Sequence, residues 1–96
     1  MTPKTLTLEQ FKVATKIALL EYSHASTQET TDAFEGKTSD TIETLGMDSL
    51  DIVEISMYVE DQLGVGLDDD VLDETFQYDT PIQLVAQILH TAYLAY

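Results

Sequence analysis

Residues 45–67 read LGMDSLDIVEISMYVEDQLGVGL. From Asp48 to Leu63 the stretch holds no glycine and no proline, and Gly64 and Gly66 close it. Its apolar residues recur at helical spacing, which predicts a helix that starts at Asp48 or Ser49 and ends near Leu63. Turned at ~100° per residue, Ile52, Ile55, Val59 and Leu63 share one narrow arc with Ser56 inside it. That is a core stripe. Leu50, Val53 and Met57 share a second arc, bordered by Glu54 and Asp61 on one edge and by Glu60 on the other. A second apolar stripe fenced by carboxylates points to a helix that packs on its own domain and offers another surface to a partner. The flexible thioether of Met57 suits such a surface. The competing reading is a central helix with neighbours on both sides.

Outward from this segment the chain reads as helices joined by polar loops. Thr7 and Gln10 match a capping box, and Leu8, Phe11, Val13, Ala14, Ile17, Ala18 and Leu20 follow a helical period. A first helix is therefore expected over 7–22. Residues 23–44 are rich in Ser, Thr and acids, with only Phe34 and Ile42 as large apolar residues. They read as a long loop with a short turn near Thr31 to Phe34, and loops of that length are often mobile or functional. Past Gly66, Asp68 or Asp69 can cap a short helix within 67–76 whose first turn carries acids. The last helix opens at Asp79-Thr80-Pro81, with Thr80 as N-cap, Pro81 at the first helical position and Gln83 completing a capping box. Ile82, Val85 and Leu89 form its apolar row, flanked by Leu84 and Ile88. The expected fold is all-α: a four-helix bundle of three main helices plus a short third helix, with the long loop between helices one and two. The whole of residues 1–96 reads as a single domain.

Composition narrows the function. Eighteen acids face four lysines and no arginine, for a net charge of −14. Thirteen of those acids follow Lys37, the last cation. Such a chain repels nucleic acid and anionic membranes and is steered towards basic partners. No cysteine is present, so disulfides, thiolate nucleophiles and Cys-based metal sites are excluded. The first residues, MTPKTLTLEQ, lack a signal-peptide run, and no stretch is apolar enough to span a bilayer. A cytoplasmic monomer is expected. Asp68, Asp69 and Asp70 lack the spacing of a calcium loop and read as a solvated helix start, so no metal site is expected.

Three readings compete for Ser49. It can cap the helix, although Asp48 fills that position equally well. It can act as a nucleophile, but that needs a base, and His24 and His90 stand in no motif. It can be a modification site, because free N–H groups and the positive end of the dipole at a helix N-terminus stabilise an added phosphate ester.

The pattern Leu-Gly-x-Asp-Ser-Leu, followed by interleaved apolar and acidic residues and a glycine-aliphatic turn, resembles the attachment segment of acyl carrier proteins. The capped helices on either side, the short acidic third helix and the acidic composition resemble that family too. The resemblance implies that a phosphopantetheinyl transferase attaches 4′-phosphopantetheine from coenzyme A to Ser49, assisted by Asp48. The distal thiol of that arm would carry acyl groups as thioesters between acyl-transferring, condensing or ligase enzymes with basic patches. It implies a partner face of Leu50, Val53, Glu54, Met57, Glu60 and Asp61, with Leu67 at the mouth of an acyl pocket lined by Ile55, Val59 and Val85. The chain would be a carrier in fatty-acid, polyketide or related synthesis, not an enzyme. Four features depart from the family pattern: the long 23–44 segment, a longer stretch from Leu67 to Thr80, Asp68 where proline is usual, and a tail, LHTAYLAY, that extends the last helix with Tyr93 and Tyr96. The alternative is an acidic helical adaptor that docks through Leu50, Val53 and Met57 with no prosthetic group.

Overall fold

A computed structural model describes residues 3–96. These form α1 (Leu8–Tyr22), α2 (Thr27–Phe34), α3 (Ser49–Leu63), α4 (Asp69–Thr75), a 3-10 turn (Ile82–Leu84) and α5 (Val85–Ala95). The architecture is all-helical, with no strand among the described residues and only an isolated bridge between Thr41 and Pro81. None of these helices is long and apolar enough to cross a membrane.

Helix α1 begins as its sequence dictates. Thr7 Oγ1 accepts from the Gln10 amide at 3.3 Å, and Gln10 Oε1 accepts from the Thr7 amide at 2.7 Å. Its inward face is Phe11, Ala14, Thr15, Ala18 and Leu19. The small alanines on that face fit its broad packing against both α3 and α5. Val13, Ile17 and Leu20 face solvent instead. The core gathers Phe11, Leu19, Ile55, Val59, Val85 and Leu89, all essentially free of solvent. The row Ile82, Val85 and Leu89 is buried as its spacing requires, while Leu84 lies exposed.

The structure corrects two elements. Residues 23–44 are not a plain loop, because α2 occupies Thr27–Phe34. Ser26 Oγ accepts from the Glu29 amide at 3.1 Å and Glu29 Oε1 accepts from the Ser26 amide at 3.3 Å, a full capping box. This helix buries Thr30 and Ala33 rather than large side chains, and the Thr30 hydroxyl bonds Ser23 Oγ at 2.8 Å and the Ser26 carbonyl at 2.9 Å. The second correction concerns the last helix. Thr80 does not cap it, and Gln83 completes no capping box. The buried Thr80 hydroxyl instead accepts from the Gln77 amide at 2.8 Å and donates to the Thr75 carbonyl at 3.1 Å. Pairing with the 40–42 segment holds this stretch extended: the Ile42 amide donates to the Thr80 carbonyl at 3.1 Å and the Ile82 amide to the Asp40 carbonyl at 3.0 Å. The chain therefore enters α5 through a 3-10 turn.

The segment before α1 is tied to α5 and the residue that follows it. The Leu6 amide donates to Tyr93 Oη at 3.0 Å, and His90 Nε2 meets the Leu6 carbonyl at 3.0 Å. A carbonyl only accepts, so His90 carries its proton on Nε2. Lys4 Nζ lies 5.2 Å from the Tyr93 ring centre and 5.1 Å from that of Tyr96, within cation–π range.

Candidate functional site

The segment 41–47 aims the start of α3. Ile42, Leu45 and Met47 plug into the core, while the Leu45, Gly46 and Met47 amides donate back to Thr41, Glu43 and Ile42. Gly46 has φ +82, and a Cβ there would lie 2.7 Å from the Cβ of His24. Only glycine meets both demands. The His24 amide donates to the Leu45 carbonyl at 3.1 Å, which ties this turn to the end of α1.

Asp48 is the N-cap of α3. Its Oδ1 accepts from the Leu50 amide at 3.0 Å and the Asp51 amide at 3.2 Å, and Asp51 Oδ2 accepts from the Asp48 amide at 3.0 Å. Ser49 is thus the first helical residue. Its side chain is exposed, and its hydroxyl bonds no other described residue. Neither histidine reaches it: His90 is engaged with Leu6, and His24 lies against Gly46. A serine without a base is not an activated nucleophile. Asp48 occupies the Leu50 and Asp51 amides of the first turn.

The second stripe of α3 is open to solvent. Leu50, Val53 and Met57 are 63 %, 53 % and 55 % exposed, which rules out the reading of a helix buried on both sides. Asp61 is exposed beside them and Glu54 is half-buried. Around Glu54 sits the half-buried Tyr22, whose phenol is pushed above its usual value of 10.0 by burial first and then by the charges of Glu54 and Glu21. Glu60 is half-buried and accepts from the Leu67 amide at 3.0 Å through Oε2. Leu67 is only 3 % exposed and belongs to the core cluster, not to the surface. Among the described residues no cluster of acids or histidines is arranged to hold a metal, and Asp68 serves as the cap of α4, with Oδ1 2.9 Å from the Val71 amide.

Ile55, Val59 and Val85 are fully buried in the core. Two of the surface clefts lie between α3 and α4. One cleft of about 330 Å³ is lined by Ser49, Ile52, Val53, Asp73, Phe76, Gln77 and Tyr78. A second of about 150 Å³ is lined by Ile52, Val53, Ser56, Met57, Glu60, Asp69, Leu72, Asp73 and Phe76. Ser56, which falls in the core arc by spacing, donates its hydroxyl proton to the Ile52 carbonyl at 3.0 Å. Sequence reasoning passed over Leu72, Asp73, Phe76 and Tyr78. Their only signal was that α4 carries too few apolar residues to cover α3.

A family model described as the phosphopantetheine attachment site matches residues 25–88, about two thirds of the chain, and Ser49 lies inside the match. Searches of curated proteins and of solved structures returned no significant match.

Proposed function

Because the chain belongs to the phosphopantetheine-attachment family of carrier domains, we propose that Ser49 is its attachment point and that it shuttles acyl intermediates between biosynthetic enzymes. Members of the family carry 4′-phosphopantetheine covalently and are not themselves catalysts. The observation that carries the assignment to Ser49 is its exposed, unpartnered hydroxyl at the first position of α3, inside the matched region. When bound, the arm supplies the thiol that a chain without cysteine lacks. Ser49 Oγ holds it as a phosphodiester. Asp48 Oδ1 is committed to the cap, and its second oxygen bonds no described residue, leaving it free to meet a magnesium ion brought by the transferase. The segment 41–47 fixes where the hydroxyl points.

Partner enzymes meet the Leu50, Val53 and Met57 stripe through an apolar patch set among basic residues. Asp61 and Glu54 supply the opposite charge. Residues 1–22 hold three lysines and two acids, whereas the rest of the chain holds one lysine and sixteen acids. The field therefore draws a basic enzyme to the body that bears Ser49 rather than to α1. The departures in the 23–44 segment, at Asp68 and in the tail favour a dedicated cytoplasmic pathway, making an unusual lipid, polyketide or peptide-type product, over housekeeping fatty-acid synthesis. The test is intact mass after incubation with coenzyme A and a promiscuous transferase. The expected result is a gain of one phosphopantetheine that disappears in Ser49→Ala. A wild-type chain of unchanged mass refutes the assignment.

A further inference from the structure

Val13, Ile17 and Leu20 stand on the outer side of α1, 65 %, 49 % and 37 % exposed, while the inner side of that helix packs on α2, α3 and α5. Large apolar side chains at i, i+4 and i+7, open to water on one helix face, mark a docking surface. The stripe follows the d, a and d positions of a heptad, with Gln10 at the preceding a position. In that register Lys16 falls at g and Glu21 at e, on opposite flanks of the stripe. Among the described residues Lys12 pairs with Glu9, whereas Lys16 and Glu21 make no ion pair. An apolar stripe with an unpaired cation on one flank and an unpaired anion on the other is complementary to itself. The net charge of −14 would keep copies apart only if it were evenly spread, and it is not. Residues 1–22 carry three lysines and two acids, a sum of +1, and residues 23–96 carry one lysine and sixteen acids, a sum of −15.

We propose that α1 is a self-association surface: two copies of the chain pair through Val13, Ile17 and Leu20 with their α1 helices parallel, related by a two-fold axis, and Lys16 of each copy meets Glu21 of the other. Charge fixes the direction. In a parallel pair the g residue of one helix faces the e residue five places on in its partner, and Lys16 and Glu21 are five places apart. The two-fold axis makes that contact twice. Turning one helix end for end sets like flank against like flank. The midpoint of the stripe lies between Lys16 and Ile17, so the ammonium groups of the two Lys16 residues would then face each other and repel. Rim pairs of this kind add little affinity and chiefly choose orientation, while the apolar stripe supplies the attraction. The stripe is short, so the pair is weak and reversible. Ser49 and the Leu50, Val53 and Met57 stripe lie on α3 and take no part, so both copies of a pair keep their attachment site open.

The experiment is sedimentation equilibrium of the full chain from ~10 μM to ~1 mM, the range of weak complexes. It is run at ~0.15 M salt, where charges more than about 8 Å apart are largely screened. The mean mass should climb with concentration from the 10.7 kDa of one chain towards twice that value. Ile17→Glu puts a charge into the seam and should hold the mass at one chain throughout, while melting close to wild type because Ile17 is half open. Lys16→Glu sets like charges across both rims and should weaken association roughly tenfold; combining it with Glu21→Lys should restore the wild-type value. Direction is read from Gln10→Cys, which gives this cysteine-free chain a single thiol. Parallel helices bring position 10 against itself, and mild oxidation should yield a covalent dimer. Antiparallel helices hold the two thiols about 20 Å apart, beyond the reach of a disulfide. A wild-type mass of one chain at every concentration overturns the proposal, and so does association that survives Ile17→Glu. Association lost in Val53→Glu but kept in Ile17→Glu places the second copy on α3 and overturns it as well. Failure of Gln10→Cys to cross-link in an associating chain, or of the double charge swap to restore association, overturns the parallel arrangement.

Discussion

Asp48 has a structural and a proposed chemical role, and substitution can separate them. In the structure its Oδ1 accepts from two amides of the first turn of α3. Asp48→Ala leaves both donors without that partner, at a cost of about 1–2 kcal/mol, the upper part of the range for a lost N-cap. In a domain of this length that lowers the melting temperature by roughly 4–8 °C for each kcal/mol. Asp48→Asn keeps an acceptor oxygen in the same place, and Asn caps about as well as Asp. Its melting point should stay close to wild type, because the loss of a favourable charge at the helix start is set against relief of repulsion with Asp51. If the free carboxylate oxygen meets the transferase's metal ion, Asp48→Asn still loses a charge-assisted contact worth about 1.5–3 kcal/mol. That corresponds to a fall of roughly tenfold to a hundredfold in the rate of arm transfer. The assay pairs circular-dichroism melts with the time course of mass gain. The pattern expected is Ala slow and destabilised, Asn slow and stable. An Asn variant that is modified at the wild-type rate reduces Asp48 to a cap, and an Ala variant that melts with wild type removes even that role.

Met57→Ala should cost well under 1 kcal/mol, because a side chain 55 % exposed leaves no cavity behind, yet it should slow transfer to Ser49; a loss of ~2–5 kcal/mol would show that Met57 is core. Tyr93→Phe removes the acceptor for the Leu6 amide, and should cost about 0.5–1.5 kcal/mol and speed hydrogen exchange at Leu6; unchanged exchange there would show that this tie is not made in solution. Moderate salt or magnesium should raise the melting temperature, since eighteen acids face four lysines; a melting point indifferent to both means that self-repulsion is unimportant. Tyr22 should ionise late in an absorbance titration. Its phenol is raised in the fold, so its contribution to stability is intact below pH 10.0 and is lost as pH climbs through the higher folded value, and Tyr22→Phe should flatten that alkaline loss.

Much of the fold was legible because most helix starts here are written in side-chain chemistry. The Thr7 box, the Asp48 cap and the Asp68 cap all sit where their sequences place them. The start of the last helix was misread because the same signals, Thr80-Pro81 and Gln83, were overruled at a distance. The 40–42 segment pairs with Thr80 and Ile82, and no local pattern carries that information. Helix α2 was missed for the opposite reason. Its box, Ser26 to Glu29, is written in the sequence, but the helix buries a threonine and an alanine, so no periodic row of large apolar residues marks it.

Ser49 and the exposed stripe were legible because both follow from the position of residues on one helix. Spacing alone puts Leu50, Val53 and Met57 on one arc and a hydroxyl at the start of the turn. What one helix cannot reveal is how far its neighbour stands off. Leu67 is placed by the resemblance at the mouth of a pocket, yet its amide donates to the Glu60 carboxylate and its side chain lies in the core. Ile55 and Val59 share the core arc by spacing and are pocket walls only on the family resemblance, and they are walls only if something leaves room beside them. Nothing does, because Phe11, Val85 and Leu89 fill that side. The room is on the α4 side, where a seven-residue helix and its C-cap present Leu72 and Phe76 and leave Ile52 half-open. The open seam between α3 and α4 is therefore a consequence of how little α4 can cover. Adding an apolar bulk there, as in Asp73→Leu, should cover Ile52, close the seam and raise the melting temperature while leaving attachment of the arm to Ser49 unchanged; an unchanged melting temperature would show that the added side chain does not pack into the seam.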